Sequence, residues 1–311
     1  MSEQKRGLVW LTPRVAYLPG AVNTGLLAGG EGRSVAVDTG IDGEAARKLR
    51  RAAEDAGYRI AAIINTHSHA DHCGGNRWLQ DRTGAPVFCS PLERSTIEHP
   101  ILEPSFLFSG AAPPPALRNR FLMAQGSRVE AGWVEGLGGQ ALQSLAGVQA
   151  EILELPGHAL GQLGVACDGV LFCGDAFFDP EVVDKHRVPF FADPARGVAT
   201  LQRLTALSLR LVPGHGHPVA PDEAGREVLD YNRSTLLRLR REVLDLLGEP
   251  RTEESLVAAL AARTGLEFAN EGLYYLVKTS LQGYLSWLAD DGLAQSQVEG
   301  AKVTWRAVAG R

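Results

Sequence analysis

The stretch Thr66-His67-Ser68-His69-Ala70-Asp71-His72 constrains this 311-residue chain more than any other part of it. Three imidazoles and a carboxylate packed so closely cannot enter an apolar core, where each would leave polar atoms unpaired at about 1–3 kcal/mol apiece. The stretch follows Arg59-Ile60-Ala61-Ala62-Ile63-Ile64, expected as a buried strand, and precedes Gly74-Gly75. Imidazole and carboxylate are the ligands that suit zinc and related divalent ions. The i, i+2 spacing puts His67 and His69 on one side of an extended segment, within reach of one ion. Asp71 and His72 then serve a neighbouring position. One motif leaves each ion short of ligands. Pro156-Gly157-His158, Gly174-Asp175 and Pro213-Gly214-His215-Gly216 offer more, each at an expected strand end beside glycine, where backbone approaches closely. His99, His186 and His217 read instead as surface or loop residues, and Cys73 as a buried thiol.

H-x-H-x-D-H, then G-H, G-D and G-H, in this order and spacing, resembles the metallo-β-lactamase superfamily over about residues 7–220. Val37-Asp38-Thr39-Gly40 is similar to that family's early strand-end Asp, which supports the site from behind the ligands. The resemblance implies an α/β chain folded as an αββα sandwich with the site along one edge. His67, His69 and His158 would hold a first ion, Asp71, His72 and His215 a second, and Asp175 would bridge them. The ions implied are two divalent metals, zinc foremost, with manganese or iron as alternatives. The implied chemistry is hydrolysis of a small ester, thioester or lactone by a hydroxide shared between the ions and oriented by Asp71. A bridging Asp175 disfavours antibiotic hydrolysis as the main role, and His69 stands where diiron oxygen-reducing relatives carry Glu. Two other activities share these ligands: single-strand RNA cleavage, and persulfide oxidation on a single iron.

Around the motifs the pattern is strands with interspersed helices, including a helix over 43–56, strands over 85–90, 148–155, 162–167 and 169–173, and a helix over 195–209. No helical pattern is evident over 65–75. Residues 91–133 read as an irregular lid, rich in Pro and Gly but carrying apolar side chains. Within it Phe106, Phe108 and Phe121 offer apolar surface to a substrate, and Arg118 and Arg120 an anchor for an anionic group. The catalytic domain is thus expected over 1–220. Residues 221–311 follow as three helices (224–247, 252–264, 271–289) and a hairpin turning at Glu299-Gly300, the order of a winged helix. That tail carries 11 Lys and Arg against 14 Asp and Glu, and its third helix offers only Lys278. Phosphate binding needs clustered positive charge, so nucleic acid is not the expected partner. A small-molecule substrate is, with the tail walling the pocket or joining a homodimer. No apolar run approaches the ~20 residues of a membrane helix, the first six residues are polar, and the four cysteines show no C-x-x-C spacing. A cytoplasmic location is the expectation.

Overall fold

The computed structural model describes residues 7–130 and 137–308, so Met1–Arg6 and the last three positions of the expected lid fall outside the described residues. A first sheet of six strands runs in sequence order: β1 (Val9–Trp10), β2 (Val15–Leu18), β3 (Thr24–Ala28), β4 (Arg33–Val37), β5 (Arg59–Ile64) and β6 (Val87–Phe88). Its first four strands meander antiparallel, and β4, β5 and β6 are parallel. Helix α1 (Gly43–Asp55) makes the β4–β5 crossover; its N-terminus is capped by the Asp42 carboxylate, which accepts from the Glu44 and Ala45 N–H groups. Short α2 (Ala70–Cys73) and α3 (Asn76–Thr83) lead from β5 to β6.

After β6 come α4 (Pro91–Glu98), α5 (Leu102–Leu107) and, beyond a 3₁₀ turn, α6 (Leu137–Ala146). A second sheet is ordered β10-β9-β8-β7, from β7 (Glu151–Glu154), β8 (Leu163–Cys167), β9 (Val170–Gly174) and β10 (Arg210–Pro213). Helices α7 (Pro180–His186) and α8 (Pro194–Thr205) connect the parallel pair β9 and β10. The C-terminal part contains α9 (Glu223–Leu246), α10 (Glu253–Thr264), α11 (Glu271–Asp290) and the hairpin β11 (Ala294–Glu299)–β12 (Lys302–Ala307).

The layers follow from alternation along the strands. Val35, Val37 and Ile64 of the first sheet meet Val165, Phe172 and Val212 of the second to form the inner core. Ile63 and Ala36, on the opposite face, pack under Leu49 of α1 and Leu79 of α3. The outer face of the second sheet is covered by α8, α9 and α11, with Leu171, Leu201, Leu236, Leu281 and Tyr284 in one continuous apolar cluster. The result is the αββα arrangement, and beyond 220 the helices α9 and α11 pack on α8 in the same apolar cluster. The expected α11 stripe of Val277, Leu281, Tyr284 and Leu288 is at most 1% exposed, and burying each such side chain contributes about 1.5–3 kcal/mol.

Two expectations are corrected. The stretch 65–75, expected to lack a helix, contains α2, whose first turn carries Asp71 and His72. Residues 91–133 are not irregular throughout: Ser90 caps α4 by accepting from the Glu93 N–H, with Pro91 in the first turn, where its missing donor costs nothing. Proline reads as a breaker in sequence but starts a helix here.

Candidate metal centre

The site lies where strand ends from both sheets are stitched together. The Thr66 carbonyl at the end of β5 accepts from the Leu163 N–H (2.7 Å), and the Gly214 N–H after β10 donates to the Gly174 carbonyl (2.7 Å). All seven predicted ligand residues meet at this edge. His67, His69 and His158 offer nitrogens within 4.8 Å of one another, as do the ligand atoms of Asp71, His72 and His215. Asp175 stands between the two groups: Oδ1 is 3.3 Å from His72 Nε2, and Oδ2 is 3.4 Å from His215 Nε2 and 3.5 Å from His158 Nε2.

Most of the imidazoles are tied down on the side away from the centre. His72 Nδ1 donates to Asp38 Oδ2 (2.8 Å), His158 Nδ1 to the Phe190 carbonyl (2.9 Å) and His215 Nδ1 to the Ala21 carbonyl (2.7 Å). His67 Nδ1 meets Thr66 Oγ1 (3.0 Å), whose own hydroxyl donates to Asp38 Oδ2 (2.8 Å). These bonds place the proton on Nδ1 and leave the Nε2 lone pair for a cation. His69 is turned the other way, with Nε2 3.3 Å from Glu103 Oε1 and Nδ1 2.9 Å from His158 Nε2. Among the described residues His67 Nε2, His72 Nε2 and Asp175 Oδ1 are buried without a hydrogen bond of acceptable geometry. Buried orphans of that kind are rare and costly. Three of them pointing into one ring of imidazoles and carboxylates fit a bound divalent metal.

The charges divide the site into two ends. Burial, reinforced by His72, His69 and His158, holds His67 well below the usual imidazole range. Burial likewise lowers His158 to about 3. Both therefore stay neutral and able to donate a lone pair. At the other end burial opposes charge on His72, but Asp175, Asp38 and Asp71 hold it well above its usual value. Asp175 and Asp71 raise His215 to about 10 against the same opposition. Asp71 itself, despite burial, is lowered to about 2 by His72 and His215. The carboxylates thus draw positive charge to the Asp71–His72–His215 end.

Supporting residues emerge that no motif announced. Glu93 on α4 accepts from the Ser68 N–H (3.0 Å), the Ser68 hydroxyl (2.6 Å) and the Gly161 N–H (2.8 Å), clamping the His67–His72 segment to the loop that carries His158. Glu103 on α5 stands behind His69, and burial pushes its carboxyl above the usual range. Ser280 of α11 accepts from the Phe191 N–H (3.1 Å), so the C-terminal part steadies the loop whose Phe190 carbonyl orients His158. Phe178, Phe190 and Phe191 present their rings edge-to-face around the same imidazole. Asp38 sits at φ 58°, a left-handed conformation that Asp tolerates better than most residues.

A cleft of about 740 Å³ opens onto His69, Asp71, His158, Asp175 and His215. Of the five side chains expected to meet substrate, Phe121 lines it. Phe106 points into solvent (63% exposed), and Phe108 packs against Tyr275 of α11. Arg118 is exposed, while Arg120 lies over Phe121 and 3.8 Å from Asp42. Neither arginine is among the described residues lining the cleft. His186, expected on the surface, is exposed at its mouth. His217 is exposed, His99 is exposed at the C-terminal end of α4, and Cys73 is buried.

Known proteins are similar to this chain. A hydroxyacylglutathione hydrolase of Rhodospirillum rubrum is 31% identical over 143 residues, 44% of this chain and 42% of that protein. One from Alkalilimnicola ehrlichii is 28% identical over 215 residues, 68% of this chain and 69% of that protein. The chain thus spans less than half the length of the first. In structure it is similar to a metallo-beta-lactamase family protein of Thermus thermophilus (TM-score 0.70, 22% identity, 96% of this chain and 100% of that one), a likeness of fold alone. The sequence model of the metallo-beta-lactamase superfamily matches residues 17–217, the span that holds nearly all of both sheets and all seven ligand residues. The chain belongs to the metallo-beta-lactamase superfamily.

Proposed function

We propose that the protein is a metal-dependent hydrolase that cleaves small thioesters, and by the same chemistry esters or lactones. The observation that carries the reading is the convergence of seven ligand-type side chains, with inward nitrogens of His67 and His72 and a carboxylate oxygen of Asp175 buried without a well-formed hydrogen bond. His67, His69 and His158 would hold one ion, Asp71, His72 and His215 a second, with Asp175 shared. When bound, the ions supply Lewis acidity and an activated water near neutral pH. The chain's own groups do the rest. Asp38, Thr66, Phe190 and Ala21 fix which nitrogen of His72, His67, His158 and His215 faces the centre. Asp71, partly open to the cleft, is placed to orient the attacking water. The apolar walls keep bulk water from the reacting carbonyl.

The relatives named as hydroxyacylglutathione hydrolases support a thioester as the bond broken. For residues 221–311, we read a winged-helix-like unit that has become a wall of the active site: Leu273, Leu276 and Val277 line the cleft. Lys278, the cation expected on α11, is tied to Glu254 at 3.2 Å rather than free for phosphate. The test is hydrolysis of a thioester, ester and lactone panel before and after chelation. Turnover of at least one member, lost with the metal and restored by zinc or manganese, is expected. Cleavage of RNA with no turnover of the panel would overturn the reading.

A further inference from the structure

The cleft narrows the substrate beyond the bond that is broken, and this inference rests on the hydrolase reading above. Its walls come from separate parts of the fold: Val22 between β2 and β3, Leu122 in the insert, Val182 and Val188 around α7, and Leu273 and Leu276 on α11. Leu122 and Leu276 also belong to a small apolar cluster that ties the insert to α11, so this wall is packed rather than loose. Charge is distributed against an anionic ligand. Away from the ligand cluster the cleft presents the carboxylates of Asp42 and Glu44, and beside His69 that of Glu103. Lys48 is the one Lys or Arg among the described lining residues, and its Nζ is 3.0 Å from Glu44 Oε1. Arg120, near the mouth, faces Asp42. A glutathione conjugate carries two carboxylates, and this cleft holds no free Lys or Arg for either among the described residues.

We propose that the substrate is a thioester or ester whose acyl group is an uncharged, apolar chain, seated between α7 and α11 with its carbonyl at the ligand cluster. Water adds to the acyl carbon, the C–S or C–O bond breaks, and the products are a carboxylic acid and a thiol or alcohol. Leu276 is the residue that sets chain-length preference, because it is partly exposed to the cleft and anchored in the cluster behind it.

The experiment is a series of N-acetylcysteamine thioesters from acetyl to octanoyl, together with lactoylglutathione, assayed on the metal-loaded full chain. kcat/KM should rise about two- to fourfold per added methylene and be lowest for the glutathione conjugate. Leu276→Glu should cut the octanoyl-to-acetyl ratio at least tenfold, roughly what losing a few buried methylenes gives. Should that variant fold poorly, calorimetric binding of alkyl methyl ketones to the unaltered protein gives the same ordering without turnover. A flat chain-length profile in both measurements, or preference for the glutathione conjugate, overturns this inference and leaves the hydrolase reading standing. Failure of every thioester, ester and lactone to turn over removes both.

Discussion

Replacing Asp38 by Asn isolates what this carboxylate does for the site. Asn tolerates the left-handed backbone that Asp38 adopts at φ 58° and has nearly the same shape. The carboxylate accepts three bonds of 2.8 Å: the Thr66 N–H on Oδ1, and the Thr66 hydroxyl and His72 Nδ1 on Oδ2. An amide keeps one oxygen for the Thr66 N–H but turns an NH₂ toward His72 Nδ1. To avoid two donors facing each other, His72 must move its proton to Nε2, the nitrogen that points at the centre. That nitrogen can then no longer bind a cation. Loss of such an orienting partner costs about 10–100-fold in metal affinity, or about 1.4–2.7 kcal/mol. The effect reaches both ligand groups, directly at His72 and through Thr66 at His67, because the Thr66 hydroxyl that holds His67 Nδ1 donates to the same Oδ2. Titrating the metal-free variant with zinc while counting bound ions should show both sites weakened. An unchanged affinity at the site that includes His72 would refute the tautomer argument.

Other outcomes follow from the same geometry. Gly214→Ala places a Cβ 2.1 Å from Asp175 Oδ1 and 2.6 Å from His72 Cε1; both side chains are held in place, so metal binding and activity should drop by about a hundredfold or more (about 2.7 kcal/mol), measured by titration and turnover. Ser280→Ala leaves the Phe191 N–H without its acceptor; thermal unfolding should show about 1–3 kcal/mol lost, with His158-dependent metal affinity falling alongside, and an unchanged affinity would separate α11 from the site. Burial pushes the Cys89 thiol up to about 12. The unfolded chain therefore sheds this proton from about pH 8.5 while the folded chain keeps it, and stability should fall with rising pH toward 12 by up to about 1.4 kcal/mol per pH unit. A Cys89→Ala variant whose alkaline stability profile matches the unaltered protein would contradict this.

What the sequence revealed and what it hid have a common physical cause. His67, His69, Asp71 and His72 are legible because ligands crowded into one short stretch have no other reasonable fate, and His158, Asp175 and His215 because glycine marks the strand ends beside them. Glu93, Glu103 and Ser280 were not legible. Each works on a partner distant in the chain (Ser68 and Gly161, His69, Phe191), and a carboxylate or hydroxyl on an amphipathic helix looks in sequence like a solvated face. The same ambiguity affects Arg118 and Arg120, whose charge suggested an anionic anchor although the chain carries them outside the cleft. The helices of 91–107 were hidden by prolines that sit in first turns, where they favour a helix. The helical layer beyond 220 was readable from its periodicity. Its contribution to His158, through Ser280 and the Phe190–Phe191 loop, depends on tertiary contact and left no periodic signal.

The most direct test of the central claim is the metal content of the purified chain, counted by element per polypeptide. The ligand geometry predicts about two divalent ions per chain, zinc or manganese. A single iron per chain, or protein that is active while holding no metal, would contradict it.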